Sequence, residues 1–307
     1  LLQTNSQRKH TVHTVIFFIF IVSNCGGLLL PIGDPPLFLG YLRGVKVLWT
    51  MGLFFEWLVV VGALLGIYYV WDWRKYKRED PASVTLDETR RTKLRLQGSL
   101  NFVWLLGIVL CVALVDPSKE LPLLGFKPFP FMREVLMLML VVVSKLTTDK
   151  EIYRLNQFNY HAILEVAALF IGIFICMQAP IEILNQKGSE LGLSKPWHFF
   201  WATGGLSAFL DNAPTYVVFF ETAKTLPPGA DPVTVAGGAI GNSLLVAISL
   251  GAVFMGALTY IGNGPNFMVK SIAEQMGVRM PSFFGYMAYS FAILVPLFVV
   301  VMLIFVL

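Results

Sequence analysis

Two decapeptides decide how this chain of 307 residues folds: Gly27-Leu-Leu-Leu-Pro-Ile-Gly-Asp-Pro-Pro36 and Gly256-Ala-Leu-Thr-Tyr-Ile-Gly-Asn-Gly-Pro265. They align without gaps at an offset of 229 residues. Gly27/Gly256, Leu29/Leu258, Ile32/Ile261, Gly33/Gly262 and Pro36/Pro265 are identical, and Asp34 stands opposite Asn263. Each interrupts a hydrophobic segment. Glycine frees the backbone from the constraint of a Cβ, and proline has no N–H to give to the helix ladder, so both halt a helix. A helix broken at mid-membrane frees carbonyl oxygens on one half and amide groups on the other. Such carbonyls, with Asn, Asp, Ser and Thr oxygens, suit a small cation, while the half-helix N-termini attract an anion. One such break is explained by a proline kink filled by neighbouring helices; two in a repeat point to a transporter's site.

The composition surrounding these breaks is that of a membrane protein. Hydrophobic residues make up 56% of the chain and charged residues 14%, where a soluble domain carries about 25% charged. Of the 42 charged residues, 13 fall between Asp72 and Gln97, so the rest is drier still. The formal net charge of +4 comes without a basic stripe interleaved with aromatics, which sets nucleic acid aside. Cys25, Cys111 and Cys176 lie far apart in apolar stretches without metal-ligand spacing and read as packed hydrophobes. Arg8, Lys9 and His10 followed by apolar Val12 to Val22 imitate a signal peptide, but the run leads at once into Pro31 to Pro36 and many further apolar segments.

Lysines and arginines in alternate loops divide 14 against 8, and the richer set is assigned to the cytoplasm. The fold expected is an all-α polytopic membrane protein. Its parts are a first broken helix (1–47), a transmembrane helix (48–71), a charged cytoplasmic connector (72–97) anchored by Trp71, Trp73 and Tyr76, and transmembrane scaffold helices (98–184). A hairpin with the second broken helix (185–281) and a final transmembrane helix (282–307) complete it. On this count the stretch 197–226 begins and ends outside, with Asp211-Asn212-Ala213-Pro214 between arms of about 13 apolar residues, too short to span. That is a re-entrant hairpin, and irregular backbone at such depth is tolerated only against protein or a water-filled cavity. The two broken helices then run in opposite directions, as inverted repeats. The offset places the first repeat's own hairpin about 18 residues before Leu1, and a chain opening Leu-Leu-Gln reads as N-terminally truncated.

Ser23-Asn24-Cys25-Gly26-Gly27, Pro31 to Pro36, the tip Ser207-Ala208-Phe209-Leu210-Asp211-Asn212-Ala213-Pro214 and Gly262-Asn263-Gly264-Pro265-Asn266 together resemble the ion transporter superfamily. Within it the Asp-Asn-x-Pro tip is most similar to NhaD-type sodium/proton antiporters and the related CitMHS-like citrate transporters. The resemblance implies a dimerising scaffold, a mobile transport domain of hairpins and broken helices, and elevator-like alternating access. The family's carboxylate symporters carry Ser-Asn-Thr at the tips, where sodium and the substrate carboxylate bind. Here the tip reads Asp211-Asn212-Ala213, and the added negative charge favours cation exchange over citrate uptake.

Asp211 is thus the leading candidate to trade a proton for a metal ion, although an Asp at a hairpin tip also caps the following helix. Asn212, Ser207, Thr259, Asn263 and Asn266 supply neutral oxygens, with Asn24, Ser23 and Asp34 as partners from the first repeat. Sodium is assigned to Asp211, Asn212 and Asn263. Gly27, Gly33, Pro36, Gly256, Gly262, Gly264 and Pro265 serve the backbone at the breaks. His161 and Glu165, four apart on one helix face, suit a scaffold salt bridge or dimer contact better than a proton relay. Glu221 and Lys224 read as interface charges. The leading expectation is sodium/proton antiport in a bacterial inner membrane, by a homodimer with no cofactor beyond Na⁺ and H⁺. A sodium-coupled citrate or dicarboxylate carrier is the alternative. A membrane enzyme fits poorly, since His10, His13, His161 and His198 form no reactive constellation.

Overall fold

The structure is a computed structural model, which describes residues 5, 8–81, 97–115, 125–155, 158 and 160–307; most of the charged connector 72–97 lies outside them. The chain divides into two compact units, one of residues 1–90 with 169–307 and one of residues 91–168. Among the described residues the fold is mostly helical, as an all-α membrane protein requires, with one small exception: a two-stranded antiparallel ribbon, β1 (Pro232–Val235) and β2 (Gly238–Gly241). No strand was expected in 185–281, read as a hairpin with the second broken helix. Gly237 and Gly238 at positive φ turn the chain back on itself there, and the helix begins only at Asn242.

In the larger unit, α1 (Val12–Ile21) ends in turns through Cys25–Leu29 before α2 (Pro35–Leu42). Next comes α3 (Phe54–Tyr76), preceded by a 3-10 stretch Val47–Leu53. The expected span 48–71 is therefore shifted: it starts tightly wound and runs five residues into the expected connector. Asp72 accounts for the extension. Its Oδ1 lies 2.7 Å from Arg8 Nη2 and 2.8 Å from His13 Nε2, and Glu79 accepts the main-chain N–H groups of Lys9 (3.1 Å) and His10 (2.9 Å). These charges fasten the start of α1 to the end of α3 and hold the latter helical.

The smaller unit contains α4 (Leu100–Leu114), α5 (Met132–Thr147) and α6 (Lys150–Leu155). Asn101 Oδ1 accepts hydroxyls from Ser144 (2.8 Å) and Thr148 (2.9 Å), and Trp104 Nε1 donates to Thr147 Oγ1 at 3.0 Å. At the end of the expected scaffold stretch 98–184 the chain forms two helices, α7 (His161–Cys176) and α8 (Gln178–Lys187). Pro180 explains the interruption, since it has no N–H for the preceding turn. The side chains of His161 and Glu165 lie outside those described.

The hairpin is α9 (Pro196–Ser207) and α10 (Asn212–Lys224), with Ala208–Asp211 at its tip. The second broken helix is α11 (Asn242–Met255), a turn Gly256–Leu258, and α12 (Gly264–Gln275); α13 (Phe283–Val301) follows and closes in a wide π turn. α11 is buried along most of its length against α9 and α10. Its contact with α9 is close enough that a Cβ on Gly251 would stand 2.5 Å from Phe200 O. Among the described residues three segments are long and apolar enough to cross a membrane: Val12–Leu29, Val47–Tyr76 and Phe283–Val306. Two of them expose broad apolar faces, with Phe55 67% and Phe284 78% accessible, as lipid-facing side chains are.

Candidate functional site

Both decapeptides fold alike. Asp34 (φ −148°, ψ 140°) and Asn263 (φ −153°, ψ 137°) each stand as extended N-caps, and proline follows in the first turn of α2 and of α12. In both loops the chain passes over itself between the two matched glycines. A Cβ at Gly27 would meet Gly33 O at 2.6 Å, and one at Gly262 would meet Gly256 O at 2.5 Å. Gly264 has open space where its Cβ would lie, so its role is not steric.

The carbonyls freed by the breaks were expected to face a cation. Side chains take most of them instead. Asn266 Nδ2 donates to Gly256 O (2.8 Å) and Thr259 O (2.9 Å), Tyr286 Oη to Ala257 O (2.7 Å) and Ser290 Oγ to Leu258 O (2.6 Å). At the first break, Thr50 Oγ1 donates to Leu29 O at 2.8 Å and Trp57 Nε1 to Gly26 O at 3.3 Å. Thr259 Oγ1 donates to Ala208 O and accepts from Gly262 N, and Ser207 Oγ donates to Ala252 O at 2.8 Å. Thr259 and Ser207 thus satisfy backbone around the tip. This is what dry surroundings demand, because an unpaired main-chain group there costs several kcal/mol.

At the centre is Asp34. It is 3% accessible, and among the described residues its partners are neutral amides. Asn212 Nδ2 approaches both carboxylate oxygens, at 3.1 and 3.2 Å, and Asn263 Nδ2 reaches Oδ1 at 3.3 Å. Asn263 Nδ2 also lies 3.1 Å from Asn24 Oδ1 and 3.2 Å from Ser23 O, and Asn24 Nδ2 donates to Asn266 Oδ1 at 2.7 Å. Ser23 therefore contributes its carbonyl rather than its hydroxyl. Asn24, Asn212, Asn263 and Asn266 are all at most 2% accessible. The cluster gathers three helix N-termini at one carboxylate: α2 begins beside Asp34, α10 at Asn212 and α12 beside Asn263. Their partial positive charges help an anionic group persist away from water. Asn212 turns its nitrogen to the carboxylate, because its oxygen would be repelled there. Its Oδ1 is buried and has no partner among the described residues.

Asp211, the first candidate from the sequence, plays a different local part. It is half-buried, and its Oδ1 accepts the Ala213 N–H at 3.0 Å as the cap of α10. Sequence reasoning gave Asp34 only a supporting place, because its centrality depends on Asn212, 178 positions away. It also passed over Arg43. Glu221, read with Lys224 as an interface charge, is only 5% accessible and lies between two cations: its Oε1 is 3.2 Å from Arg43 Nε and its Oε2 2.8 Å from Lys224 Nζ.

No match was found among curated proteins or among solved structures. A family model described as "Putative citrate transport" (CitMHS_2) matches residues 1–306, and the chain belongs to that family.

Proposed function

We propose that this protein is a secondary active transporter carrying citrate or a similar carboxylate, with a cation bound at Asp34 and Asn212 as the coupling ion. The observation that carries the reading is the buried Asp34 carboxylate, held by neutral amides beside an Asn212 Oδ1 that has no partner among the described residues. A bound Na⁺ would supply the missing counter-charge and accept both kinds of oxygen, which are hard donors of the sort it prefers. The three helix N-termini favour a carboxylate nearby. Family membership supports citrate over simple cation exchange.

The wider architecture follows on the same footing. The two broken helices are inverted repeats, the α9–α10 hairpin is re-entrant, and 1–47 with 185–281 form a transport domain that moves elevator-fashion against a dimeric scaffold. The separate compact unit of residues 91–168 covers most of the scaffold stretch 98–184 and supports that part of the division, while 48–71 and 282–307 group with the other unit. The ion transporter superfamily and its NhaD-type members are the wider kin proposed, and a bacterial inner membrane the setting. Sodium/proton exchange is kept as the second reading because Asp211 adds a carboxylate at the hairpin tip.

The test is uptake by the full-length protein in proteoliposomes containing a pH-sensitive dye. Sodium-dependent entry of labelled citrate, falling to background in Asp34→Asn, is the expected result. If Na⁺ alone drives proton movement and citrate does not enter, the carboxylate reading is overturned in favour of exchange.

A further inference from the structure

The helices α2 and α10 lie side by side and point the same way. Asp34 and Asn212 meet where both begin; Arg43 and Glu221 meet where both end. Each end contact is nine residues from the other along its own helix, about 13 Å at 1.5 Å per residue. Between them Leu39 packs with Ala213 and Val217, and Gly40 lies under the Tyr216 ring, where a Cβ would stand 3.1 Å from Cζ.

Parallel helices set their macrodipoles side by side, which is unfavourable unless charges of the right sign sit at both ends. The shared N-terminal end has the Asp34 carboxylate. The shared C-terminal end has Arg43, at the C-cap of α2, and Lys224, in the last turn of α10. Glu221 runs against that rule, being an anion near a helix C-terminus. Its burial is explained by the bond it makes across to Arg43, while Lys224 three residues on in the same helix balances it. The carbonyl of Arg43 also accepts the Ala236 N–H at 2.7 Å from the β1–β2 ribbon, so the arginine's backbone is held as well as its side chain.

We propose that Arg43 and Glu221 are positioning residues: their ion pair fixes the register of α2 against α10 and so keeps the Asn212 amide on both oxygens of Asp34. The functional consequence rests on the carboxylate-carrier reading; the mechanical one does not. Opening the pair lets α10 slide or tilt, and the first change is at the tip, far from the substitution.

Hydrogen–deuterium exchange of the full-length protein in lipid nanodiscs tests this directly. Arg43→Gln and Glu221→Gln are expected to speed exchange of the first-turn amides of α10, Ala213, Thr215 and Tyr216, by about tenfold. Arg43→Lys keeps a cation and is expected to restore most of the protection. Lys224→Gln removes a partner of Glu221 but leaves the Arg43–Glu221 contact in place, and is expected to leave the tip near the wild-type rate, although it loosens the last turn. Exchange that rises only around 221–224 in every variant overturns the proposal and leaves a local ion pair. The second arm is citrate uptake, where Glu221→Gln is expected to raise the half-saturating Na⁺ concentration about tenfold with the maximal rate little changed. A wild-type protein that takes up no citrate defeats the carrier reading, and the exchange arm still decides the clamp.

Discussion

Asparagine does most of the holding at the centre of this molecule. Asn266 accepts from Asn24 and donates to two main-chain carbonyls, three bonds inside a region with almost no access to solvent. Removing the amide leaves the carbonyls of Gly256 and Thr259 and the amide of Asn24 short of a partner, each costing about 1–3 kcal/mol when buried. Asn266→Ala is therefore expected to destabilise by about 3 kcal/mol or more, read as a lowered unfolding midpoint in detergent micelles. Asp211→Ala removes only a half-exposed cap and is expected to cost about 1 kcal/mol by the same measurement. A larger loss at Asp211 than at Asn266 would reverse the ranking of the two residues.

The two broken helices show which features of an element can be read locally. The identities Gly27/Gly256 and Gly33/Gly262 announced a shared loop, and the loops do share their close backbone crossing. Gly262 is the stricter position: its absent Cβ would meet Gly256 O at 2.5 Å, Ser207 O at 2.9 Å and Ala208 O at 3.0 Å, all main chain and unable to give. Gly262→Ala is expected to destabilise by about 1–3 kcal/mol, whereas Gly264→Ala, with open space around it, is expected to be close to neutral. Thermal unfolding of the two variants side by side checks this; equal losses would contradict it. The breaks were legible because glycine and proline act through their own backbone. The fate of the freed carbonyls was not, since Tyr286, Ser290, Thr50 and Trp57 arrive from other helices. The start of α3 and the division at Met177–Gln178 were likewise hidden, because an apolar run shows its composition more clearly than its helix boundaries.

For the molecule as a whole, hydropathy alone settled the class. Val47–Tyr76 and Phe283–Val306 keep most of their apolar surface uncovered by protein, and only lipid can cover it at acceptable cost. The protein is expected to stay in the membrane pellet after alkaline carbonate washing; release into the supernatant would contradict an integral placement. What composition could not disclose is how charge is paired across the fold. Arg8, His13, Asp72 and Glu79 join elements 59 to 70 residues apart, and Arg43 meets Glu221 across 178. Such pairs leave no period or spacing in the sequence, so Arg43 looked like one more loop cation.

The contacts that complete the polar cluster link residues separated by 178, 229, 239 and 242 positions. A ribosome adding about 5–20 residues per second needs roughly 10–50 s to traverse the longest of these intervals. For that time Asn24 and Asp34 have been synthesised and the residues that will shelter them have not. Nascent chains halted before Asn212 consequently carry an unsheltered carboxylate within an apolar segment, a burden that the insertion machinery, rather than the finished fold, has to bear.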